Sequence, residues 1–148
     1  MTPNDASETL RVARARYFAE NGLGDGGYHE RWVRLQAGPL PLWFPNTGAR
    51  VRAVRLHDLH HVLTGYATNW VGEAEIGAWE LASGCGHYWA AWLLNGAAAL
   101  IGICVAPRVV LTAWRAGRRC RNLYEGEWRE SLLDETVGDL RAQLEITN

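Results

Sequence analysis

Apolar and polar positions follow a helical period along most of the chain. From Ala6 to Glu20, Leu10, Ala13 and Tyr17 recur at i, i+3 and i+7 with Phe18 on the flank, leaving Arg11, Arg14 and Glu20 to face water. That spacing predicts an amphipathic helix, ended by the glycine-rich stretch from Asn21-Gly22 to Gly27. No Gly-Lys-Ser/Thr follows that stretch and no strand clearly precedes it, so it reads as a turn and not as a phosphate loop. Between Tyr28 and Pro45, the prolines at 39, 41 and 45 exclude a long helix. Trp32, Val33 and Leu35 suit a short extended piece there, and Leu40, Leu42, Trp43 and Phe44 an apolar wrap against a helical body. Asn46 or Thr47 then caps a helix running through Val51, Val54 and Leu59 to Leu63, stopped by Gly65. Thr68 to Gly72 reads as a connector. Glu73 opens a second helix to about Ala82, with Glu73, Ile76, Gly77 and Glu80 on one face.

After a break at Ser83-Gly84-Cys85-Gly86, Tyr88, Trp89 and Trp92 lead into an apolar run from Ala90 to Ala106, interrupted by Asn95, Gly96 and Gly102. The run is slightly shorter than the ~20 residues that span a bilayer. It reads first as a buried core helix, second as the wall of a lipid-accepting pocket or a membrane-contacting face, and last as a transmembrane span. Pro107 suits the first turn of a further helix. On it Arg108, Arg115 and Arg119 fall on one stripe, a solvated face or a holder of phosphate head groups. From Trp128 to Ile146 the pattern gives one or two short helices, with Leu133, Val137, Leu140 and Leu144 on the buried side. Strand signals are few and no internal repeat is present. The expected fold is all-α: residues 1–148 as a single-domain helical bundle with a proline-rich extended segment near 28–45.

Composition narrows the function. The formal net charge is −1, which gives no basic footprint for nucleic acid. All 15 basic residues are arginine, a composition that suggests a GC-rich bacterial gene. Cys85, Cys104 and Cys120 are scattered without a CxxC pair, and the N-terminus has no basic-then-apolar leader pattern. Both features predict reduced thiols and a cytoplasmic location. Eight tryptophans are many for 148 residues. Core filling is the expected fate of large aromatics, and pockets or membrane-water boundaries are the alternative.

The chemistry concentrates in His57-Asp58-Leu59-His60-His61 and Glu73. On a helix His57 and His61 are one turn apart on one face, and Asp58 pairs with His61 at i, i+3. Gly65 and Gly72 allow the chain to turn and carry Glu73 back towards them. Two imidazoles and two carboxylates, His57, Asp58, His61 and Glu73, form a plausible shell for a divalent metal: zinc, iron or manganese. His60 is the spare imidazole, suited to supporting the ligands or carrying protons, and Glu80 is a candidate for the same roles or an exposed helical carboxylate. The register does not match His-Glu-x-x-His zinc proteases.

The spacing His57-Asp58-x-x-His61-x11-Glu73, with the text from His57 to Tyr66 and from Glu73 through Glu80-Leu81-Ala82, resembles the signature of the Coq4 family of coenzyme Q (ubiquinone) biosynthesis. The likeness runs from about Phe44 to Leu81, and the chain would be a short bacterial member. The resemblance implies zinc, a lyase-like action (oxidative decarboxylation at ring carbon C1 of polyprenylated hydroxybenzoates), a prenyl-lipid substrate, and organisation of synthesis proteins at a membrane. The expected partners are a hydrophobic small molecule or prenyl lipid and peripheral contact with the cell membrane, with a homo-oligomer left open by the sequence. Two further readings stand beside this one: recruitment to natural-product tailoring or cyclisation, which the short length favours, and a lipid-binding scaffold whose metal is structural.

Overall fold

The computed structural model describes the backbone of residues 5–37 and 40–147 and the side chains of residues 5–33 and 43–147. In chain order it forms α1 (Leu10–Asn21), β1 (Trp32–Ala37), β2 (Leu40–Pro45), α2 (Gly48–Thr64), α3 (Trp70–Ser83), α4 (Trp89–Val105), α5 (Pro107–Gly117) and α6 (Val137–Gln143). Two short 3-10 turns, Leu123–Glu125 and Glu130–Asp134, join α5 to α6. The fold is all-α, as the periodicity predicts, with one small addition. The proline-rich segment is a two-stranded antiparallel hairpin in which Trp32 opposes Pro45 and Ala37 opposes Leu40. Pro39 and the side chains of Leu40 and Leu42 lie outside the described residues; Trp43 is exposed and Phe44 half-buried.

Local chemistry explains the boundaries of the two central helices. The Thr47 side chain accepts from Arg50 N at 3.2 Å, which caps α2. At its other end Gly65, at φ 78°, donates its N–H to the His61 carbonyl. Helix α3 begins at Trp70, earlier than the sequence pattern suggests, because Asn69 accepts from Gly72 N at 2.9 Å and so caps it. The turn between them is tight at Gly72, where a Cβ would stand 2.6 Å from the Ala67 carbonyl carbon. Helix α1 starts later than expected. Residues Ala6 and Glu8 are used as acceptors for Gly138 N and Val137 N, and Leu10 N donates to the Glu135 carbonyl, all at 2.9 Å. This pairing ties the two ends of the described chain together.

Helix α2 packs on α1 and α4, and α3 packs on α4 and α5 and meets α2 along a smaller contact. One core cluster joins Leu10, Ala13, Tyr17, Leu56, Leu59, Leu63, Tyr124, Leu133, Val137 and Leu140. Each fully buried leucine contributes about 1.5–3 kcal/mol by removal from water. A second cluster joins Ala74, Ala78, Trp79, Ala99, Val110 and Ala113.

Two expectations fail here. Trp79 is buried, but Trp32, Trp43, Trp70, Trp89, Trp92 and Trp114 are exposed, so the tryptophans do not fill the core. Helix α4 is also not a buried core helix. It turns small groups and one amide inward (Ala91, Asn95, Ala99, Gly102) while Trp89, Leu93, Leu100, Ile101, Ile103 and Val105 stay exposed. The reason is the close approach of α3: the Asn95 backbone and Ala98 stand against Gly77, where only small groups fit. Among the described residues, no helix is long and apolar enough to cross a membrane. Arg108, Arg115 and Arg119 are exposed, whereas Arg14, expected to face water, is half-buried with its guanidinium over Phe18 and Trp128.

Candidate metal centre

Helices α2 and α3 run antiparallel, so His61 meets Glu73 at one end and His60 meets Glu80 further along, with His57 between the two carboxylates. The His57 and His61 Nε2 atoms face each other at 3.2 Å. Glu73 Oε2 is 3.5 Å from the first and Glu73 Oε1 is 3.4 Å from the second. These three residues have ligand atoms within 4.8 Å of one another.

The neighbours fix which ring nitrogens carry protons. His61 Nδ1 is 2.9 Å from the Tyr66 carbonyl, an acceptor, so Nδ1 donates. His57 Nδ1 donates to Glu80 Oε1 at 3.0 Å. Both rings therefore turn an Nε2 lone pair towards the other and towards a carboxylate. Two facing lone pairs beside an anion require a positive charge between them, a metal ion or, in its absence, a proton on Nε2. A tetrahedral ion with ligand bonds of about 2.05 Å has donor–donor edges of about 3.3 Å, the scale of this triangle. The donor set therefore fits a divalent ion, and it fits as protein ligands usually do, with each imidazole held from behind by an acceptor. The side chain of Glu73 is 37% exposed and that of His57 19%, so one side of the triangle is open to solvent.

Without an ion, protons on the ring Nε2 atoms meet the same demand for positive charge. Burial works against charge on His57, but the carboxylates of Glu80 and Glu73 raise its pKa well above the ordinary imidazole value. Burial pushes the Glu73 carboxyl up, and the hydrogen bonds from His57 and His61 outweigh it, bringing the pKa down to about 2.

Asp58 stands outside this triangle. It lies about 100° round the helix from His57, is buried, and accepts from the Tyr28 hydroxyl at 2.5 Å. Burial raises its pKa. Burial, then the charge of Asp58, raises the pKa of Tyr28 and of Tyr17, whose ring stacks on His61.

Glu80 is not an exposed helical carboxylate. It is fully buried, and one oxygen accepts from His57 Nδ1 and from His60 Nδ1 at 2.6 Å. The other accepts from Asn95 Nδ2 and from the Tyr124 hydroxyl at 3.1 Å. Burial pushes its pKa up, and the charges of His57 and His60, with their hydrogen bonds, outweigh it and lower the pKa. His60 is also fully buried. Its Nε2 accepts from Leu123 N at 3.0 Å, so neither ring nitrogen is free to carry protons to a substrate, and burial lowers its pKa despite Glu80.

Sequence reasoning missed Tyr28, Tyr124 and Asn95. Asn95 had a signal, as the lone polar side chain within the apolar run; the tyrosines reach the site from distant segments and had none. Compared with known proteins, the chain matches no family model and no curated protein.

Proposed function

We propose that this is a Coq4-like metal-dependent protein acting on a quinone or polyprenyl-aromatic precursor, with its ion held by His57, His61 and Glu73. Zinc suits two imidazoles and a carboxylate best, with iron and manganese as alternatives. The observation that carries the reading is the triangle of two facing Nε2 lone pairs and the Glu73 carboxylate. When bound, the ion supplies Lewis acidity towards the oxygens of an aromatic acid. His57 and His61 hold it at a fixed point, and their own partners keep the rings from turning. The exposed side of Glu73 supports an enzyme over a scaffold with a closed structural metal, because it leaves the ion a face for substrate. The apolar face of α4 and the arginines that follow it on α5 support peripheral contact with the inner face of a cell membrane, where a prenyl chain resides.

The test has two stages. Protein purified without chelator should carry about one equivalent of metal by mass spectrometry, and the His61→Ala variant should carry little. Metal-loaded protein should then convert a polyprenyl hydroxybenzoate offered in detergent with dioxygen and a reductant, read by product mass. Metal-free wild type that takes up no divalent ion refutes the site; metal-loaded protein inert to the aromatic acid refutes the substrate class. Activity on another aromatic or polyketide acid instead would favour recruitment to natural-product tailoring.

A further inference from the structure

We infer that Glu80, which never touches the ion, is the positioning residue that decides how tightly the ion is held. The inference rests on His57 being a ligand, and extends that reading to a side chain in the core. His57 can offer a lone pair at Nε2 only if its proton is on Nδ1, and Glu80 Oε1 is the acceptor that keeps it there. The carboxylate is itself immobile. His60 shares the same oxygen, and Asn95 and Tyr124 hold the other, so four donors fill its acceptor sites at 0% exposure. His60 in turn is pinned by Leu123 N. The ion site is thus anchored through Glu80 to α4 and to the turn at Leu123–Glu125. Glu80 also adds the second negative charge near the site, and together with Glu73 it balances a divalent cation.

This arrangement distinguishes a carboxylate from its amide. Glutamine accepts at one end and donates at the other. With its oxygen towards the histidines, its amide group meets the Asn95 donor, and Tyr124 has to turn its hydroxyl to the Ala53 carbonyl. With its amide group towards the histidines, it drives the His57 proton to Nε2 and removes the lone pair the ion needs. Burial without access to the open face makes Glu80 a positioning residue and not a catalytic one.

The experiment compares wild type, Glu80→Gln and the double variant Asn95→Ser/Tyr124→Phe. Readouts are zinc affinity by chelator competition, imidazole nitrogen–proton correlation spectra with and without zinc, and the melting temperature of metal-free protein. The expected result for Glu80→Gln is zinc affinity about 10–100-fold weaker and loss of the His57 Nδ1–H signal. The double variant, which loosens the carboxylate without removing it, should weaken zinc by less. Wild-type zinc affinity in Glu80→Gln, whatever its melting temperature, overturns the inference and leaves Glu80 a purely structural charge. If Glu80→Gln does not fold, wild-type zinc affinity in the double variant overturns it. Wild type that binds no zinc would instead refute His57 as ligand, and the Nδ1–H signal in the metal-free protein would still report whether Glu80 holds the ring.

Discussion

Replacing Gly72 by alanine tests whether the turn between α2 and α3 places Glu73. A Cβ at this position stands 2.6 Å from the Ala67 carbonyl carbon and closer still to its oxygen. Carbon atoms pack at about 3.5–4.0 Å, so the backbone must open by about 1 Å. Alanine gains helix propensity of up to about 1 kcal/mol over glycine within α3. Forcing a methyl into packed backbone costs about 1–3 kcal/mol. The expected net is destabilisation by about 1–2 kcal/mol, read by urea denaturation of metal-free protein at equal m-value. The larger effect should be on metal. Glu73 follows Gly72 directly and lies 3.4 and 3.5 Å from the two imidazoles. Ligand distances in zinc sites vary by only about 0.2 Å, so a displacement near 1 Å should weaken zinc by at least about tenfold. A Gly72→Ala protein as stable as wild type, with unchanged zinc affinity, would refute this account of the turn.

Other substitutions separate the ligands from their neighbours. His61→Ala should lose most bound metal by mass spectrometry, and metal content equal to wild type would remove it from the ligand set. Glu73→Gln should weaken metal binding while helical circular dichroism persists; no effect would leave Glu73 an ordinary carboxylate in the first turn of a helix, favoured there by the dipole. Asp58→Ala should cost about 1–3 kcal/mol in stability by leaving the Tyr28 hydroxyl without its acceptor, yet leave metal content near that of wild type. Metal loss there would restore the four-ligand set that the sequence suggests. Because protons compete for the His57 lone pair and its pKa is raised, zinc affinity should fall with decreasing pH, beginning above the ordinary imidazole value of about 6.5. Replacing exposed Leu100 and Ile103 by serine should reduce flotation with anionic vesicles without lowering helical content, and unchanged flotation would remove α4 from any membrane contact.

Much of the candidate site was legible before folding. His57 and His61 share a helical face by spacing alone, and Gly65 and Gly72 announce the turn that returns Glu73. Helix ends were legible too, at Thr47, Gly65 and Pro107, because a cap is a contact between residues a few positions apart. Periodicity says which residues share a face, but not which partner that face will meet. Asp58 had the right spacing to join the ligands, and tertiary packing gave it Tyr28, thirty positions away, instead. Glu80 read equally well as solvated; burial by α4 and the Leu123–Glu125 turn made it the hub of the polar core. The apolar run of α4 looked like core because hydrophobicity counts atoms without direction. The closeness of α3 admitted only its small residues and left the large ones outside. The chain alone therefore determined that these segments are helical, the Thr47 and Gly65 caps of α2, and the His57–His61 pair. Only the tertiary structure decided which carboxylate faces those rings, which lies beneath them, and which side of α4 meets solvent, because those outcomes depend on contacts between segments far apart in sequence.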